Sequence, residues 1–180
     1  MKASYRNAVI TIAGIAGIVL LIVMLWADSK VDTIVEQRRS DRLSEVAEQL
    51  SADFTQSMQL AGSSFDNAVL FSPQVCDQTS NVLEGKHSSV PFIIFDCARV
   101  TGGKYNHSET YFTVVGFSTG DTILRLQKED PDSGWIIEST GRWFFAYQRN
   151  HDRDMRPVPQ NLRQYMEQAF QLYSSSTLDR

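Results

Sequence analysis

Apolar and polar positions change period along this chain, and each change marks a different element. No side chain from Asn7 to Ala27 carries a charge. The apolar run AVITIAGIAGIVLLIVMLWA fills positions 8–27, and a helix of that length spans ~30 Å, the hydrocarbon thickness of a bilayer. A core helix rarely stays apolar on every face. A cleaved signal peptide has an apolar region of only ~7–15 residues ending in small side chains, whereas this run ends Met24-Leu25-Trp26-Ala27. The pattern predicts an uncleaved transmembrane signal anchor. Lys2 and Arg6 precede it, while Asp28, Lys30 and Asp32 follow with no close positive excess. The positive-inside rule therefore leaves a cytoplasmic tail over 1–7 and exports the rest, with Trp26 as the anchor at the outer interface.

The next stretch, 28–61, repeats at three- and four-residue steps through Val31, Ile34, Val35, Leu43, Val46, Ala47, Leu50, Phe54, Met58 and Ala61. That spacing predicts one long amphipathic helix. The polar segment Glu36–Arg42 makes its first half a solvated stalk and leaves the second half to pack on a domain. Gly62-Ser63-Ser64 stops it, and Asn67–Ser89 reads as mostly irregular turn chemistry.

From Pro91 the period becomes two. PFIIFDCARV, ETYFTVVGFS, DTILRLQKE, GWIIES and RWFFAYQRN are rich in β-branched and aromatic residues and lie between short Gly-, Ser- and Asp-bearing turns. They predict a five-stranded antiparallel meander, with Trp143, Phe145 and Tyr147 on one core-facing side. Pro157 and Pro159 forbid helix in the charged link that follows. Asn161 then caps a last helix carrying Leu162, Tyr165, Met166, Ala169, Phe170 and Tyr173 on one face. The expected fold class is α+β: an N-terminal transmembrane helix continuing to a long amphipathic helix, then a five-stranded antiparallel sheet and a C-terminal helix. The domain layout reads 1–7 tail, 8–27 anchor, 28–61 stalk and packing helix, 62–173 periplasmic domain, and 174–180 flexible tail.

Composition narrows the function. The 180 residues are 42% hydrophobic and 11% aromatic, enough for a core and incompatible with wholesale disorder. With 17 basic against 21 acidic side chains and no basic cluster, nucleic acid is excluded as a partner. Cys76 and Cys97 both fall in the exported part, and an even count there suits one disulfide, with two buried free thiols as the alternative. Neither has a second Cys or a His at ligand spacing, so no metal site is expected.

One motif carries a hint of catalysis. Gly116-Phe117-Ser118-Thr119-Gly120 matches the nucleophile-elbow pattern, with Asp130, Asp132 and His151 following in the chain order of such hydrolases. The elbow needs a strand turning into a helix, yet Asp121–Lys128 alternates as a strand. A hairpin turn accounts for both glycines, so no catalytic residue and no cofactor are assigned. His87, His107 and His151 are scattered in loops, and Asn106-His107-Ser108 is a glycosylation sequon by pattern alone. In the anchor, Ala13 and Gly17 are spaced small-x-x-x-small, which lets helix backbones approach and favours homo-oligomers in the lipid bilayer.

Three stretches add a resemblance: Ser44-Glu45-Val46 with Glu48, Phe54 and Ser57; Phe65 through Phe71-Ser72-Pro73; and Tyr147 with Arg149-Asn150. With the layout, they resemble the T-even-phage type of holin, the lysis-timing protein of the bacterial inner membrane. The resemblance implies a cytoplasmic N-terminus, one membrane helix and a periplasmic α/β domain ending in an aromatic strand and a helix. It further implies lateral accumulation until oligomers open lesions that release a cell-wall hydrolase. A soluble periplasmic antiholin would bind the domain and delay opening. The chain departs from that family in its shorter cytoplasmic tail and in the earlier placement of Cys76 and Cys97. A type IV pilin shares the helix-then-sheet order, but its leader glycine and the Glu early in the mature helix are missing here. Two other readings stand beside the holin: an anchored periplasmic binding or accessory subunit of an envelope complex, of the sensor or pilus/secretion type, and a hydrolase acting through Ser118.

Overall fold

The computed structural model describes residues 18, 20, 21, 23, 24, 30, 33–58, 60, 68–72, 75–102, 108–120, 126–129, 133–140, 142–149 and 154–178. In chain order these form helix α1 (33–49), strand β1 (Asp53–Thr55), a 3₁₀ turn (Val69–Phe71), β2 (Gln78–His87), β3 (Val90–Thr101) and β4 (Ser108–Ser118). β5 (Leu126–Glu129), β6 (Trp135–Thr140), β7 (Trp143–Gln148), a second 3₁₀ turn (Pro159–Asn161) and helix α2 (Leu162–Leu178) follow. The chain divides into two compact units, 1–41 and 42–180. In the first, Gln37 Nε2 donates to Asp41 Oδ1 at 2.8 Å, one helical turn apart, and the apolar Ile34 and Val35 are about half exposed.

The second unit is built on one antiparallel sheet in the order β1-β2-β3-β4-β7-β6-β5. Its seven strands correct the expected five, and both extra strands were hidden by competing local signals. β1 lies inside the predicted long helix, because Phe54 satisfies either period. The helix in fact ends at 49, where Leu50 N–H reaches back to Val46 and Ala47 carbonyls and Ser51 takes a left-handed φ of 52° that terminates it. β2 was masked by its turn-forming residues: Asn81 adopts φ 52°, and the pairing with β3 shifts between Ser80 and Leu83. That bulge breaks the two-residue alternation a sequence pattern depends on.

The expected transmembrane helix is corrected too. Among the described residues no helix is long and apolar enough to cross a membrane. Ala13, Gly17 and Trp26 lie outside the described residues.

The long strands are apolar on both sides. Phe92, Ile94, Val115, Phe117, Phe144 and Ala146 face one way, toward Leu43 and Ala47 of α1 and Leu162, Tyr165, Met166 and Ala169 of α2. The alternate residues Ile93, Phe95, Cys97, Phe112, Val114, Phe145 and Tyr147 face the other way, toward Leu60, Ala68, Leu70, Val75 and Cys76. One face is thus covered by helices and the other by described residues that lie between β1 and β2 in the chain. Gly116 lets the second face close: a Cβ there would come within 2.8 Å of both Ile93 Cγ2 and Phe145 Cε1.

A polar clasp holds α2 to the first face. The buried Tyr165 hydroxyl donates to the Thr113 carbonyl at 3.0 Å on β4 and accepts the Gln148 N–H at 3.1 Å from β7. Its ring packs 4.6 Å from that of Trp135. Burial pushes this phenol well above the ordinary tyrosine range, so it remains a donor. Nearby, the buried Asp96 carboxylate accepts from Asn81 Nδ2 at 3.0 Å and Thr113 Oγ1 at 2.6 Å, which also secures the bulge.

Replacing Tyr165 by Phe keeps the ring but strands the Gln148 N–H, and is expected to lower stability by ~1–3 kcal/mol. Gly116→Ala forces Phe145 off its position and is expected to cost a similar ~1–3 kcal/mol through overpacking. Urea unfolding followed by circular dichroism checks both, with the midpoint falling and the slope unchanged.

Candidate functional site

The described residues between β1 and β2 that cover the second face are fastened to the sheet at several points. Just past β1, the Gln56 carbonyl accepts the Asn81 N–H at 2.8 Å and the Met58 carbonyl accepts the Thr79 hydroxyl. At the far end, Asp77 N–H donates to the Ala98 carbonyl at 2.9 Å, and Asp77 Oδ2 accepts the Val100 N–H at 2.8 Å. Between these, Cys76 and Cys97 form a disulfide with Cα atoms 5.6 Å apart. The bond ties the cover to β3 and leaves neither sulfur as a thiol.

Glu138 supplies another fastening, from β6. The residue is 5% exposed, and its carboxylate accepts the N–H groups of Val69 and Leu70, the first two residues of the 3₁₀ turn. Two oxygens thereby satisfy two donors that a helix start leaves without internal partners. Burial pushes the carboxyl above the ordinary glutamate value, and the two amide donors pull it partly back. The same site acts on Tyr147, whose phenol is pushed up to about 12, first by burial and then by the Glu138 charge. The turn sets Phe71 on the sheet, 5.8 Å from the ring of Phe95 in a stacked arrangement and 5.8 Å from Phe145 edge-on.

Beside this cover lies an open groove of about 450 Å³. Its lining combines apolar Met58, Leu60, Phe71 and Cys76 with polar Ser57, Asp77, Gln78 and Thr79. A cavity of that size and lining suits an apolar side chain or small ligand held in orientation by a few hydrogen bonds.

The residues singled out in the sequence fare differently. Cys76 and Cys97 are brought together at the groove. Ser118 ends β4, its hydroxyl accepting the Gly120 N–H at 3.3 Å, and Gly120 takes φ +63° in the turn. The next described element is strand β5, and residues 121–125 between them lie outside the described residues. Asp130, Asp132, His107 and His151 lie outside the described residues. His87 Nε2 sits 3.4 Å from Glu167, with its ring edge-on to Phe170 at 4.6 Å on α2. Trp143, Phe145 and Tyr147 pack in the second core cluster. Among the described residues no group of His, Cys, Asp and Glu is placed to hold a metal ion.

Sequence reasoning missed Glu138 and the groove. The available signal was an acid embedded in the apolar strand sequence Trp135-Ile136-Ile137-Glu138, where a buried carboxylate demands a partner. Asp96, within Phe92-Ile93-Ile94-Phe95-Asp96-Cys97, carries the same signature.

Compared with known proteins, the chain matches no family model, no curated protein and no solved structure.

The disulfide closes a loop between residues 21 apart. Its removal as Cys76→Ser with Cys97→Ser, or by a dithiol reductant, is expected to cost ~3 kcal/mol. Guanidinium unfolding with and without reductant checks this, the double variant being insensitive to the reductant.

Proposed function

We propose that this chain is a holin-like protein of the bacterial inner membrane. Its N-terminal apolar sequence tethers it to the bilayer, copies assemble laterally until they open lesions, and the α+β domain lies in the periplasm and binds a soluble protein partner. Its work is assembly and binding rather than catalysis.

The observation that carries this reading is the apolar surface of the N-terminal helical residues. Ile18, Leu20, Leu21, Val23 and Met24 are each 56–62% exposed. At 100° per residue they are spread around the helix rather than along one stripe. Water disfavours such a surface and lipid accepts it. The Cys76–Cys97 bond supports export, since disulfides persist in oxidising compartments such as the periplasm. The resemblance to T-even-phage-type holins supplies the mode of action and the antiholin-like partner.

A second reading, an anchored accessory subunit of an envelope complex, is favoured by the groove beside the disulfide. A built recognition site suits a standing partner as well as a regulatory one.

Induced expression in a bacterium distinguishes the two. The holin reading expects a membrane-impermeant dye to enter abruptly at a reproducible time, with cross-linking giving homo-oligomers. Steady growth at high expression, together with cross-links to one stoichiometric membrane partner, would favour the accessory subunit instead.

A further inference from the structure

The groove beside the disulfide is acidic as well as partly apolar. Its described lining comes from the stretch Ser57–Thr79, which contains no Lys, Arg or His, while Asp66 and Asp77 are acidic. Asp77 lines the groove together with Met58, Leu60 and Phe71. Its Oδ2 accepts the Val100 N–H at 2.8 Å, and among the described residues nothing bonds to its other oxygen. Arg99, the neighbour of Val100 on β3, is engaged with other groups.

Like charge continues along the sheet edge that leads into the groove. β1 is the end strand of the sheet and runs on toward Ser57 and Met58. Its Asp53 stands directly opposite Glu84 of β2, and both are exposed. They alternate with Phe54 and Leu83, which pack in the first core, so both carboxylates belong to the second face, the side of the groove. Like charges directly opposite each other in a ladder repel. Lys86 lies two positions beyond Glu84 on that face, and among the described residues it forms no ion pair with either acid.

We propose that the groove docks a segment of a partner protein that presents a basic side chain next to an apolar one. The apolar side chain packs on Met58, Leu60 and Phe71, and the cation meets the open oxygen of Asp77. The occupant follows from charge complementarity: a basic segment relieves the repulsion along this edge, and an acidic one is turned away. With one oxygen open, Asp77 makes no two-pronged contact, so Lys serves as well as Arg. A small-molecule pocket buries ~70–90% of its ligand, whereas an open groove suits side chains of a polypeptide whose backbone stays in water. Met58 adds an unbranched side chain that adapts to the shape it meets. The inference deepens the partner-binding half of the proposed function and rests on it; assembly in the membrane plays no part.

NMR of the full chain in non-ionic detergent micelles, with methyl-labelled methionine, tests this. The probes are capped dipeptides: acetyl-leucyl-arginine amide, its neutral citrulline and acidic glutamate counterparts, and acetyl-glycyl-arginine amide. With the first, the Met58 methyl is expected to shift saturably while Met166, buried in the first core, stays in place. The citrulline peptide is expected to bind about two- to fivefold more weakly, the range for an exposed ion pair, and the glutamate and glycine peptides more weakly still. Asp77→Asn keeps an acceptor for the Val100 N–H, replaces the open oxygen by a donor, and is expected to abolish the preference for arginine over citrulline. No saturable Met58 shift, an equal shift at Met166, equal affinity for the citrulline or glycine peptide, or a preference that survives Asp77→Asn overturns the proposal. Should Asp77→Asn lack the native far-ultraviolet spectrum, salt decides in the wild type. A preference that vanishes between about 0.01 M and about 1 M salt supports the ion pair, because exposed charges are screened, and one that persists overturns it. The dye-entry assay reads the membrane reading separately: abrupt entry without peptide binding removes only the groove proposal, and peptide binding without abrupt entry removes only the holin.

Discussion

A sheet that is apolar on both sides imposes the rest of this domain. Phe92 and Ile94 point one way from β3 while Ile93, Phe95 and Cys97 point the other, and β4 and β7 repeat the pattern. Such a sheet is stable in water only when both faces are covered. Leu43 and Ala47 of α1 and the stripe from Leu162 to Tyr173 of α2 cover the first face. Among the described residues the other face is covered by Met58, Leu60, Ala68, Leu70, Phe71, Val75 and Cys76, from the chain between β1 and β2.

That difference explains where the strong polar contacts sit. A helix satisfies its own backbone, and α2 needs only its apolar stripe plus the Tyr165 clasp to stay registered on β4 and β7. Irregular chain satisfies few of its own amides and has little area to bury, so it must be fastened from outside. The Cys76–Cys97 bond, the Thr79 hydroxyl and the Glu138 carboxylate each meet that need from a different strand. The groove lies beside those fastenings, and Glu138 brings a carboxyl group into an otherwise apolar layer.

The functional reading joins two physically different parts. The N-terminal sequence presents apolar side chains that prefer lipid to water, and the domain presents a fastened, disulfide-bonded face with a groove beside it. A holin-like role uses both: lateral assembly through the first and partner recognition through the second. The pattern around Ser118 belongs to a strand end and turn, where Gly116 makes room for Phe145 and Gly120 takes a left-handed backbone.

Local pattern by itself determined much of this protein. The alternation in PFIIFDCARV, ETYFTVVGFS and RWFFAYQRN marked three central strands, Pro157 and Pro159 set the approach to α2, and the stripe from Leu162 to Tyr173 oriented that helix. These survive because periodicity and turn chemistry are properties of neighbours in sequence. Tertiary structure alone decided the remainder. Phe54 suits helix or strand until the ladder to Leu83 chooses, and Asn81 conceals β2 until Asp96 accepts its side chain across the sheet. The pairing of Glu138 with Val69 and Leu70 spans 69 and 68 residues. No local signal reports where a buried charge finds its donors, since that depends on which distant backbone the fold carries to it.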